Sequence, residues 1–134
     1  MRAPVTLTCA ACPGFVEFVE RGETDSEQVH VLAERLLAPV QAARVDTLLL
    51  GCTHYPFLAR TIGDVMGRGV VLVSSADETA FEVRGILDDT GLMRRSASKG
   101  QHRFVSSGDV ALFRDLGSRL LGAELDQVEG WTWD

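Results

Sequence analysis

Apolar positions along this chain fall into two rhythms, and the switches between them outline its elements. "PVTLTC" (Pro4 to Cys9) has the short, β-branched character of a strand, and "GFVEFVERG" reads as a short helix or turn. Thr24 and Glu27 stand at capping-box spacing. Behind them Val29, Leu32, Ala33, Leu36, Leu37 and Val40 recur at helical spacing, so one helical face is expected to be buried. Pro39 is expected to end or kink that helix. "VDTLLL" (Val45 to Leu50) reads as a fully buried strand. "PFLARTIGDVMG" then reads as a helix with Pro56 at its favourable first position. "GVVLVS" is a further strand, and Ser75 with Glu78 is expected to cap the helix "DETAFEVRGILDDTG". After the polar loop Arg94 to Gly100, "QHRFVSSG" reads as a strand and "DVALFRDLGSRLLG" as a helix. Val110, Phe113, Gly117, Leu120 and Leu121 share one face of that helix and Gly122 closes it; "AELDQVEGW" reads as a last strand. Strand and helix in alternation predict an α/β fold with a largely parallel sheet.

Composition narrows the function classes. A length of 134 residues, 46% hydrophobic and 24% charged, is that of one globular domain with a modest core. The net charge is −6 and the only dense basic pair is Arg94-Arg95, which argues against a nucleic-acid surface. No apolar run approaches a membrane span, and no basic-then-apolar leader is read, so the expected setting is the cytoplasm. Three cysteines are then expected as thiols rather than as a disulfide framework. Lys99, the only lysine, sits in the polar loop, which disfavours pyridoxal chemistry through a Schiff base.

The candidate chemistry lies in "LLLGCTHYPFL". In open α/β sheets ligands gather beyond the carboxyl ends of strands, and Cys52 comes just after such an end. A helix starting near Pro56 would aim free N–H groups at Cys52 and His54, favouring an anion and a thiolate. His54 can exchange protons near neutral pH and Thr53 can donate to a carboxylate. The cluster therefore suits a cysteine acting as base or nucleophile on an anionic small molecule. Three other readings stand beside this one. Cys52 could be a small core residue. Cys9, Cys12, Cys52 and His54 could hold zinc, although Cys52-x-His54 is not usual zinc spacing. Cys9 and Cys12 could form a thioredoxin-like redox pair, although Pro13 follows the second cysteine instead of separating the two.

"LLLGCTHYPFL" resembles the second catalytic-cysteine motif of bacterial glutamate racemases, within the aspartate/glutamate racemase superfamily. "ACPGFVEFVERGE", "VLVSSADETA" and "HRFVSSGDVALF" resemble further segments of that family in order and approximate spacing. The resemblance implies racemisation of L- and D-glutamate without a cofactor or metal, between two thiols on opposite faces of the α-carbon. D-Glutamate so made serves peptidoglycan. Cys52 would be one catalytic thiol. Thr53 and His54 would contact substrate, His54 assisting proton transfer, and Glu20 would tune the histidine. A paralogue acting on aspartate, or a non-catalytic ligand- or metal-binding domain, stays open beside this.

Two features depart from the family. Its Asp-Ser-Gly-x-Gly-Gly loop and its first Cys-Asn-Thr segment do not occur here, and its Asp-Ser after the third strand is Ser74-Ser75. The resemblance is thus to the C-terminal half of a two-domain protein. Residues 1–93 would form part of one α/β domain, and 101–134 would be a strand-helix-strand segment packing on the missing N-terminal domain. The implied partners are glutamate and a half carrying the second cysteine, and the fragment alone is expected to be inactive. A homo-oligomer is compatible with the sequence.

Overall fold

A computed structural model describes residues 4–125 and 127–133. Helices α1 (Phe15–Arg21) and α2 (Glu27–Ala42) precede strand β1 (Thr47–Leu50). A 3₁₀ turn, Tyr55–Leu58, leads into α3 (Ala59–Met66) and then β2 (Val71–Ser74) and α4 (Ser75–Asp89). Strand β3 (Phe104–Ser106), helix α5 (Val110–Leu121), a 3₁₀ turn (Ala123–Leu125) and β4 (Val128–Gly130) complete the order. The fold is α/β with parallel pairing throughout the described strands. β1 lies beside β2 with Thr47 opposite Val71, and β3 beside β4 with Phe104 opposite Val128. Parallel neighbours need a crossover, and α3 and α5 supply the two.

The core forms where the apolar stripe of α2 meets α1, α3 and the end of β1. Phe15, Val19, Val29, Ala33, Leu37, Leu50, Leu58 and Ile62 are buried there in one cluster. Four of the six positions assigned to the α2 stripe are buried; Leu32 and Leu36 flank the cluster. No helix of the described residues is long and apolar enough to cross a membrane.

Several expectations need correction. Pro4 to Cys9 forms no strand: among the described residues it pairs with neither sheet, and a strand exists only through a bonded neighbour. The helix α2 continues through Pro39 to Ala42. A proline so near the end removes one amide from the ladder, and the Pro39 carbonyl still accepts from the Ala43 N–H at 3.1 Å. The α2 cap is Ser26, whose hydroxyl accepts from the Val29 N–H; the Thr24 carbonyl instead accepts from the Thr61 hydroxyl at 2.8 Å. The α4 cap is Ser74 rather than Ser75, its hydroxyl accepting from the Asp77 N–H. The strand β1 is not buried throughout: Leu50 is, but Leu49 is 62% exposed. Residues 1–3, Asp126 and Asp134 of the expected segments lie outside the described residues.

Candidate active site

The loop after β1 carries Cys52, Thr53 and His54, and local hydrogen bonds fix its course. The Tyr55 N–H donates to the Cys52 carbonyl at 3.2 Å, and the Phe57 N–H to the His54 carbonyl at 3.1 Å. These two bonds wind the chain into the 3₁₀ turn, with Pro56 at its first turn, where a missing N–H is harmless. Behind the loop, the Ser75 hydroxyl donates to the Leu50 carbonyl at 2.9 Å. That bond ties the start of α4 to the end of β1, two residues before the thiol.

Four side chains converge. The imidazole of His54 is central: its Nδ1 lies 4.0 Å from Cys52 Sγ and 3.4 Å from Thr53 Oγ1. Its Nε2 lies 3.5 Å from Glu20 Oε1, contributed by α1. Cys52 is half-buried and Thr53 exposed. His54 retains about a third of its side-chain exposure, so the cluster is open to a ligand. A carboxylate on one imidazole nitrogen and a thiol at the other make a short proton path, with the hydroxyl of Thr53 beside it.

The other cysteines are placed differently. Cys9 is exposed and Cys12 is buried, and all three cysteines are free thiols. Burial pushes the Cys12 thiol above its ordinary value. Among the described residues no three His, Cys, Asp or Glu side chains group to hold a metal ion. Tyr55 stands in edge-on contact with Phe15, ring centroids 5.5 Å apart. Its hydroxyl is also pushed up, first by burial and then by the nearby Cys12 and Cys52 thiols. Two features escape a sequence reading. The Ser75–Leu50 bond has no local signature, because a serine starting a helix reads as a cap. Tyr55 reads as part of a helix start, not as a group between two thiols.

No family model matches the chain. Proteins named glutamate racemase do match in sequence. The one from a Parafrankia species is 50% identical over 127 residues, and that from Acidothermus cellulolyticus is 53% identical over 125. The chain is similar to glutamate racemases. Those matches take in 94% and 92% of this chain but only 46% and 48% of the racemases. The chain thus spans about half the length of the curated relatives it matches. Solved glutamate racemases share the fold. One from Bacillus anthracis matches 93% of this chain and 46% of its own, at a TM-score of 0.82 and 35% identity. One from Francisella tularensis, solved in complex with D-glutamate, matches 90% of this chain at a TM-score of 0.79 and 25% identity.

Proposed function

We propose that this chain provides one side of the active site of a cofactor-independent glutamate racemase, with Cys52 as one of two acid–base thiols. The observation that carries this is the Cys52–His54–Glu20 cluster at the carboxyl end of β1, in a chain similar to racemases over nearly its whole length. In the proposed step the Cys52 thiolate takes the α-proton of glutamate and becomes a thiol. A thiol on the opposite face gives its proton to the same carbon and becomes a thiolate. One C–H bond breaks and one forms, nothing is oxidised, and the reverse direction exchanges the two roles. Thr53 donates a hydrogen bond to a substrate carboxylate. His54 relays protons to Cys52 and helps hold the substrate, and Glu20 orients its ring. The charge developing on the α-carbon is stabilised by preorganised dipoles rather than by a cofactor or metal.

The second thiol belongs to the polypeptide that corresponds to the unmatched part of the racemases. In this reading residues 1–93 form part of one domain, and 101–134 pack against that other polypeptide. The enzyme works in a bacterial cytoplasm and supplies D-glutamate to peptidoglycan.

The test is α-proton exchange of L- and D-glutamate in D₂O. The protein is the chain combined with the unmatched remainder of the Acidothermus cellulolyticus racemase. The combination should exchange both enantiomers, and the chain alone neither. Cys52→Ser should lower exchange by about 10²–10⁴-fold with little change in the circular dichroism melt. Exchange by the chain alone, or full exchange by Cys52→Ser, would defeat the proposal.

A further inference from the structure

The outer face of α2 carries a groove that the site does not use. It measures about 490 Å³ and runs between α1 and α2, lined by Phe18, Glu27, Gln28, Val31, Leu32 and Arg35. None of Glu20, Cys52, Thr53 or His54 contributes to it. Phe18 and Leu32 are partly buried and pack against the core. The Arg21 guanidinium covers the Phe18 ring, 4.6 Å from its centroid. Val31 is 58% exposed.

One exposed valine is ordinary on a helix. What sets this one apart is the charge on either side of it. Glu27, Val31 and Arg35 stand at i, i+4 and i+8, so they form one ridge that spans about 12 Å along α2. The ridge is negative at one end, apolar in the middle and positive at the other. Glu27 and Arg35 are exposed, and neither forms an ion pair among the described residues. On the flank of the ridge, His30 and Glu34 do pair, 3.7 Å apart. The flank is thus matched within the helix, and the ridge is not.

Such a ridge complements itself when reversed. Two α2 helices packed antiparallel about a two-fold axis at Val31 bring each residue before Val31 opposite the residue equally far after it. Val31 then meets its own copy, Glu27 of each copy meets Arg35 of the other, and Gln28 meets Glu34. Symmetry forms the Glu27–Arg35 pair twice. A parallel arrangement would set Glu27 against Glu27 and Arg35 against Arg35, so charge selects the direction as well as the partner.

We infer that this face of α2 is a dimerisation surface, and that its occupant is the α2 helix of a second copy of this chain, antiparallel and centred on Val31. Val31 and the aliphatic stem of Arg35 from the second copy fill the groove beside Phe18 and Leu32. The two ion pairs fix the register at its rim. The inference depends neither on the role given to Cys52 nor on the similarity to racemases.

The test is sedimentation of the chain and of three charge variants: Glu27→Arg, Arg35→Glu, and the double exchange that combines them. Both positions are exposed, and circular dichroism melts check that each variant is folded. The unaltered chain should dimerise. Each single reversal sets like charges opposite one another and should raise the dimer Kd by about 10-fold or more. The double exchange should restore the original affinity. An equimolar mixture of the two single variants should also dimerise, because one carries two cations where the other carries two anions. Glu27 lies in the first turn of α2, where a cation meets the positive end of the helix. Val31→Asp therefore supplies a second disruption, setting two carboxylates at the axis without touching the helix end. A chain that sediments as a monomer up to about 1 mM would overturn the inference. So would a dimer indifferent to the single reversals and to Val31→Asp, or a mixture of the single variants no more dimeric than its components. Those last two results would place self-association on another surface.

Discussion

At the scale of single residues, the buried Cys12 thiol and the half-buried Tyr55 phenol make stability depend on alkaline pH. Burial holds the Cys12 thiol above its ordinary value of 9.0. Burial, then the Cys12 and Cys52 thiols, holds the Tyr55 hydroxyl above 10.0. On raising the pH past about 9, the unfolded chain releases these protons while the folded chain still keeps them. The unfolded state then binds fewer protons, so stability must fall as pH rises toward the folded values. Urea midpoints measured at intervals between pH 8 and 11 should be level at first and then decline. Cys12→Ala should delay the onset of the decline, leaving the later part due to Tyr55. A level or rising midpoint across that range would contradict the placement of both groups. The cluster itself shows how far single residues were readable. Cys52, Thr53 and His54 are contiguous, so their meeting needs no tertiary information. Glu20 is on α1 and reaches His54 only through the packing of that helix near the 3₁₀ turn. Its place was suggested by resemblance and by nothing in the local pattern.

At the scale of elements, the helix α2 ends on a left-handed residue that is not glycine. Arg44, just past the cap, has φ 52°, and its N–H donates to the Gln41 carbonyl at 3.0 Å. Such a turn satisfies a terminal carbonyl but crowds a Cβ. Arg44 is exposed, so Arg44→Gly removes little packing. Relief of the left-handed strain, about 1–2 kcal/mol, less the added chain entropy of glycine, about 0.5–1 kcal/mol, should raise stability by about 0.5–1 kcal/mol, read from the urea midpoint; a loss of that size would mean the Arg44 side chain makes contacts that matter. The elements were largely legible because their signals are local. The stripe of α2, the apolar runs of β1 and β2, and Gly122 after α5 each act within one element. The misplacements occur where two local signals compete or where the deciding partner is distant. Thr24 and Ser26 are both residue types that cap helices, and it is the Ser26 hydroxyl that accepts from the Val29 N–H, while the Thr24 carbonyl is held by the Thr61 hydroxyl. Ser74 and Ser75 divide two tasks: one caps α4 and the other holds the Leu50 carbonyl. Pro4 to Cys9 has the composition of a strand, but a strand exists only by virtue of a neighbour.

At the scale of the whole molecule, the described residues form two sheets of two strands each, and the core cluster is gathered around α1, α2, α3 and the end of β1. Large side chains of the later elements, among them Phe81, Leu112 and Leu121, stay exposed, as does Trp133 after β4. Among the described residues β1 pairs with β2 alone, and its free edge adds a kinetic consequence. Natural sheets guard such edges with charge, lysine above all, yet Thr47–Leu50 is uncharged and the single lysine, Lys99, is not part of the strand. Left by itself, the chain should scatter increasing light with time, at an initial rate growing roughly as the square of its concentration, as expected when encounters between two copies set the pace. An equimolar supply of the racemase remainder should suppress that growth, and scattering indifferent to it would mean the sticky surface lies elsewhere. The same four residues that lead the backbone to Cys52 would then also set how long the chain stays in solution, so that finding its complement becomes a race against meeting its own kind.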